Sequence, residues 1–242
     1  MTSSEPLPIL HGANISPYVR KVRVALAHKG IEYNNTQQSP FGAPDEFVAK
    51  SPMSKIPCWE EGELILPDSS VILGYLEHRY PDPPLLPAEP GKRARALWFE
   101  EYADTRMGEC IPAVFFQRVV MPNILNWETD EAAVALLLEK KVPEVLDYLS
   151  SCLGDDEFMV GGEFSIADIA ITARSSISCW LAKKWMQIAG PNSRVTSSVC
   201  THCPAMPPSS MPTWKANLPN TGRKPLMLSD CAPARVIGLE CR

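Results

Sequence analysis

At 242 residues, with 45% apolar and 21% charged side chains, the chain can fill one large or two small domains, and two are expected. That balance indicates neither wholesale disorder nor a fibrous protein, and a net charge of −5 gives no reason to expect nucleic acid as the main partner. No apolar run reaches the roughly 18 residues that a membrane span needs. The opening Met-Thr-Ser-Ser-Glu-Pro has neither the basic start nor the apolar stretch of a secretory signal, so a cytoplasmic location and reduced thiols are expected.

The first strand is predicted over Leu7 to His11, a short apolar run followed by a polar turn. Ser16-Pro17 then opens a helix: serine suits the N-cap, proline the first helical position, and Val19, Val22, Ala25 and Leu26 share one face. Gly30 stops it with a left-handed C-terminal residue. Ile31 to Tyr33 reads as a second strand, Pro44 to Lys50 as a short helix, and Ile56 to Glu60 with Glu63 to Leu66 as a hairpin turning at Glu61-Gly62. Asp68 caps a helix running to Tyr80-Pro81, which gives the order β-α-β-α-β-β-α within residues 1–80.

Residues 81–91 are rich in proline and read as the linker between domains. Helices are predicted over 92–119, 130–151 and 165–186, inside an all-helical second domain spanning 92–189. Residues 190–242 form an atypical, irregular tail. Residues 1–174 carry 15 Lys/Arg against 26 Asp/Glu, a net of −11, whereas residues 175–242 carry 8 against 2, a net of +6. Five of the eight cysteines lie in this last segment. So abrupt a change points to a stretch built on a different pattern, for which a shifted reading frame is one origin that the coding DNA tests.

Three places can carry chemistry. The start of the Ser16 helix sets a hydroxyl and free backbone N–H groups at a positive helix end, where a bound thiol ionises more readily. Each unit by which its pKa falls is worth about 1.4 kcal/mol. In Lys55-Ile56-Pro57, a cis proline would turn the preceding backbone outward to pair with an extended peptide. Asp68-Ser69 offers a carboxylate to an ammonium group and a helix start to a carboxylate. Singly, capping or edge-strand proline explains each of them.

Taken together, Ser-Pro-Tyr-Val-Arg-Lys-Val-Arg at 16–23, Lys-Ile-Pro at 55–57 and Pro-Asp-Ser-Ser at 67–70 resemble the cytosolic glutathione S-transferase family, serine-type and bacterial-like, over residues 7 to about 174. The resemblance implies an α/β thioredoxin-like N-terminal domain plus an all-α C-terminal domain. It implies glutathione as substrate or cosubstrate, no metal, an electrophilic small molecule as the second reactant, and a homodimer that binds neither nucleic acid nor membrane. Ser16 would stand beside the glutathione sulfur and Ile56 would pair with the cysteinyl part ahead of cis Pro57. Asp68 and Ser69 would hold the γ-glutamyl end, and Lys55 would reach the glycyl carboxylate. Ser165 and Asp168 would form a capping box, a folding device of the second domain. Rival readings are a non-catalytic regulatory protein, similar to the stringent starvation protein, and a glutathione-dependent isomerase or dehalogenase.

Other residues invite attention and have plainer explanations. Cys200-Thr201-His202-Cys203 has metal-site spacing without a second pair, and Cys58 reads as a core residue ahead of a nucleophile. His11 and His28 are assigned structural roles. Tyr18 is assigned to packing, and Arg20, Lys21 and Arg23 to a solvated face. Trp98, Tyr102, Phe115 and Phe116 are candidates for an apolar acceptor wall, with core packing as the plainer role.

Overall fold

The computed structural model describes residues 6–175. Four strands, β1 (Ile9–His11), β2 (Asn34–Thr36), β3 (Cys58–Glu61) and β4 (Leu64–Leu66), form one mixed sheet in the order β2-β1-β3-β4. β1 pairs parallel to β2 and antiparallel to β3, and β4 returns antiparallel on β3 through the Gly62 turn. Helices α1 (Pro17–Lys29), α2 (Asp45–Lys50) and α3 (Ser69–Arg79) complete the thioredoxin-like part.

The second strand lies three residues beyond its predicted place. Gly30, at φ 66°, donates its N–H to Ala27, and the Ile31 N–H donates to the Leu26 carbonyl at 3.0 Å. This pair of bonds is the Schellman closure of α1. It commits Ile31 to the helix end, and Ile31 and Tyr33 pack on the core as connecting chain. The ladder is taken instead by Asn34, Asn35 and Thr36, all exposed, with the Asn35 amide donating to the Leu10 carbonyl at 2.8 Å. An exposed polar edge strand has no apolar alternation to reveal it.

The helical part consists of α4 (Pro90–Tyr102), α5 (Ile111–Phe115), α6 (Glu131–Leu136), α7 (Val142–Leu153) and α8 (Ile166–Ser175). The single helix predicted over 92–119 is divided. α4 runs on as wider π turns over Ala103–Met107, breaks, and resumes at α5 with Pro112 in the first turn. Proline lacks the N–H that an uninterrupted helix requires and its ring crowds the carbonyl four residues back. The helix predicted over 130–151 runs unbroken from α6 through the wider π turns of Leu137–Lys141 into α7, which carries Pro143 in its first turn. A further π stretch, Phe116–Leu125, contains Pro122. Among the described residues no helix is long and apolar enough to cross a membrane. The predicted continuation to residue 186 and the tail at 190–242 lie outside the described residues.

One apolar core runs through both parts. Leu10, Val22, Leu26, Trp59 and Ile72 continue into Phe99, Met107, Val145, Leu149 and Ile169, all buried. A fully buried large aliphatic side chain contributes about 1.5–3 kcal/mol. The proline-rich segment between the parts is tied down: the buried Lys29 ammonium donates to Glu77 (2.8 Å) and to the Tyr80 (2.6 Å) and Pro83 (2.9 Å) carbonyls. The Glu77 carboxylate in turn accepts the N–H groups of Leu85 and Leu86. The Leu85 carbonyl accepts the Ile166 N–H at 2.8 Å, so this segment also satisfies the start of α8.

At that start, Asp168 accepts the Ser165 N–H at 2.9 Å through one oxygen and the Met159 N–H at 2.9 Å through the other. The Ser165 hydroxyl donates to the same carboxylate at 3.1 Å, so the acid supplies the side-chain half of this cap. Burial pushes the Asp168 carboxyl above its ordinary pKa, against the pull of these bonds. Replacing Asp168 with Ala should lower the unfolding free energy by about 2 kcal/mol or more, because two backbone donors lose their acceptor. The urea midpoint of the variant against the parent measures this.

Candidate functional site

The β1–α1 turn positions Ser16. Its hydroxyl accepts the Val19 N–H at 3.5 Å, a long N-cap bond, while its carbonyl takes the Arg20 N–H at 3.0 Å and its own N–H goes to the Ala13 carbonyl at 3.0 Å. The side chain is half-buried, and the first turn of α1 carries no acidic residue to compete for an anion. Among the described residues the hydroxyl proton has no acceptor. Gly12 makes the turn compact: a Cβ there would sit 2.4 Å from a Val19 methyl and 3.4 Å from the Ile56 Cβ. The Ser16 turn and Ile56 are therefore neighbours, although 40 positions separate them.

The Ile56–Pro57 peptide bond is cis. Ile56 lies just ahead of β3, whose ladder begins at Cys58. Lys55 is exposed, and its backbone is anchored from both sides by the buried Ser51 hydroxyl, which accepts the Lys55 N–H (3.2 Å) and donates to the Lys55 carbonyl (2.8 Å).

Asp68 is the N-cap of α3. One of its oxygens accepts the N–H groups of Ser70 (2.9 Å) and Val71 (3.0 Å), which leaves the other open on an exposed residue. Ser69 is buried at the first helical position. Both α1 and α3 thus present N-termini with short polar side chains.

The solvated-face reading of Arg20, Lys21 and Arg23 does not hold. Lys21 is fully buried, and its ammonium donates to Glu100 (2.5 Å), Asp104 (2.7 Å) and the Ser70 hydroxyl (3.1 Å). Arg20 donates to the Ala173 carbonyl at 3.0 Å, and Arg23 to the Tyr33 hydroxyl at 3.2 Å. Arg174, also fully buried, pairs with Asp104 and donates to the Ala103 carbonyl, its guanidinium 3.6 Å above the Tyr18 ring. Only after folding does this face of α1 meet α3, α4 and α8. The available signal was the like-charged pair Glu100 and Asp104, one turn apart, a spacing that costs stability unless cations face it.

Residues 10–84 match the family model described as the glutathione S-transferase N-terminal domain. A glutathione S-transferase of Hyoscyamus muticus is 31% identical to the chain over a region covering 66% of this chain and 77% of that protein. The chain belongs to the glutathione S-transferase family. A stringent starvation protein A homolog of Haemophilus ducreyi is 28% identical over 64% of this chain and 66% of that one. A glutathione S-transferase structure from Methylobacterium radiotolerans, in complex with glutathione sulfonate, superposes with a TM-score of 0.60 at 27% identity, covering 79% of this chain and 94% of that one.

The remaining candidates of this transferase-family chain have structural partners. His11 is held between the Thr36 hydroxyl and Glu60, both at 2.8 Å. Lys50 and then His11 hold the Glu60 carboxyl below its ordinary pKa. His28 lies against Phe164. Trp98 is half exposed and donates its indole N–H to the Tyr148 hydroxyl at 3.1 Å, with the Tyr102 ring tilted against that of Tyr148 at 4.8 Å between centroids. Phe116 is exposed and Phe115 partly so. The Cys200 to Cys203 motif lies outside the described residues, within which no cluster of His, Cys, Asp and Glu suits a metal.

Cys58 is fully buried, and desolvation pushes its thiol pKa up to about 11. The thiolate is the reactive form, and at pH 8 about one part in a thousand is present. Cys58 should stay unlabelled by iodoacetamide in the native protein and react only after denaturation, as peptide mass mapping would show.

Proposed function

We propose that this protein is a serine-type glutathione transferase, closest in character to the bacterial-like members, in which Ser16 stabilises the glutathione thiolate for attack on an electrophilic small molecule. The observation that carries the reading is the Ser16 hydroxyl. It stands at the positive end of α1 with only a 3.5 Å internal bond and a proton free to donate. A hydrogen bond to a charged acceptor is worth about 1.5–3 kcal/mol, and here it would favour the thiolate over the thiol.

The rest of the peptide fits the neighbouring groups. Ile56, beside the Ser16 turn, supplies backbone N–H and carbonyl for an extended cysteinyl segment ahead of Pro57. The open oxygen of Asp68 suits the γ-glutamyl ammonium, and the helix start at Ser69 suits its carboxylate. Lys55, exposed at the edge, suits the glycyl carboxylate. We assign residues 1–80 to the glutathione-binding domain, 81–91 to the linker and 92–189 to the helical domain, and place the protein in the cytoplasm.

A second reading, a non-catalytic regulatory protein on the same fold, is favoured by the similarity to the stringent starvation protein A homolog. One experiment separates the two. Reduced glutathione added to purified protein near neutral pH should raise the ultraviolet absorbance of thiolate. Ser16→Ala should abolish that signal and slow conjugation by about 10- to 100-fold. Bound glutathione without thiolate in the parent would favour the regulatory protein.

The homodimer is supported by apolar side chains left exposed on three elements: Leu64 and Ile65 on β4, Val71 on α3, and Leu97 on α4. A buried carboxylate costs several kcal/mol when unpaired, so Val71→Glu and Leu97→Glu together should convert a dimer to monomer. Sedimentation velocity reads the change, and an unchanged sedimentation coefficient would place the interface elsewhere.

A further inference from the structure

Glu100 and Asp104 both face the Lys21 ammonium, and the second oxygen of Asp104 is paired with Arg174 on α8. Two cations and two carboxylates therefore share one site, formally neutral and almost out of water. A cluster of this kind adds little stability over apolar packing, but each member is held in one geometry because a displaced member would leave a buried charge uncompensated. The neutral member is Ser70. Its hydroxyl accepts from Lys21 at 3.1 Å and donates to Glu100 at 2.6 Å, with Asp104 at 3.3 Å.

Ser70 is the second residue of α3, and its backbone N–H donates to the Asp68 carboxylate. One residue thus joins the buried cluster, through its hydroxyl, to an exposed acid, through its amide. Among the residues that bond Asp68, only Ser70 has this second attachment; Val71 contributes an N–H and an exposed apolar side chain.

We propose that Ser70, clamped by Lys21, Glu100 and Asp104, is a positioning residue that aims the open oxygen of Asp68 at the ammonium group of a bound γ-glutamyl peptide, with Arg174 holding Asp104 from α8. The proposal rests on the glutathione reading above. A carboxylate anchored at one oxygen by a fixed helix turn presents the other along one direction, which a charge-assisted hydrogen bond rewards. A turn released from the cluster would let that direction wander, and the ammonium would lose its preference for the site.

The test compares two ligands on the full chain: reduced glutathione and its analogue with the γ-glutamyl amino group replaced by hydrogen. In the parent protein, calorimetry should give the analogue a Kd about 10-fold weaker or more. Ser70→Ala should shrink that ratio below about 3-fold, and Ser70→Thr, which keeps a hydroxyl, should retain it. Glu100→Gln provides an independent release of Ser70 and should shrink the ratio as Ser70→Ala does. Variants that keep the parent ratio while melting earlier would overturn the proposal and leave the cluster a purely structural role. A parent that binds both ligands equally would overturn it while leaving the glutathione site intact, whereas a parent that binds neither would remove the glutathione reading itself.

Discussion

The buried pairing of Lys21 with Glu100 and Asp104 is the contact on which the arrangement of this protein depends. Lys21 belongs to α1, the two acids to α4, Ser70 to α3 and the second cation, Arg174, to α8. Four helices from both parts of the chain meet there: α1, α4 and α8 cannot move apart without separating charges in a medium that solvates them poorly, and α3 is tied to them through the Ser70 hydroxyl. Two of the three candidate binding positions hang from it at short range. Ser16 lies little more than one helical turn before Lys21, and Asp68 is bonded to Ser70 directly.

A second set of polar ties does for the connecting segment what the cluster does for the helices. Lys29 and Glu77 take up the carbonyls of Tyr80 and Pro83 and the amides of Leu85 and Leu86, and Leu85 passes its own carbonyl to the start of α8. A segment with prolines at 81, 83, 84, 87 and 90 cannot supply its own backbone ladder, so side chains from α1 and α3 satisfy it. The apolar core then continues past the segment without interruption, from Leu76 through Leu85 to Phe99.

Family membership narrows the chemistry, and the groups around the start of α1 narrow it further. The buried thiol at Cys58 lies adjacent to Pro57, yet desolvation keeps it protonated, and the histidine at the end of β1 is occupied by Thr36 and Glu60. What remains accessible at the start of α1 is a hydroxyl with a weak internal bond, a group suited to donating toward an anion. That distinction underlies the proposal of thiolate stabilisation in place of covalent or acid–base work by the protein. The regulatory reading would require the same helix start to serve recognition alone.

Local signals were enough to locate several elements in the sequence. Ser16-Pro17 with Gly30 bounds α1, Asp68 caps α3, and the Glu61-Gly62 turn joins β3 to β4, because capping and turn chemistry act between residues close in the chain. The strand at Asn34–Thr36 was not legible, since its pairing with β1 is a backbone matter and its side chains carry no apolar rhythm. The helix break ahead of Pro112 was legible in principle, and an apolar periodicity that ran across it concealed it. Lys21 marks the limit: in sequence it is one of three basic residues clustered at positions 20–23 of α1, indistinguishable from a solvated charge. Only the tertiary structure decided that it is buried, because its acids lie about 80 positions away and a charge is worth burying only when folding has brought its partners within hydrogen-bonding distance.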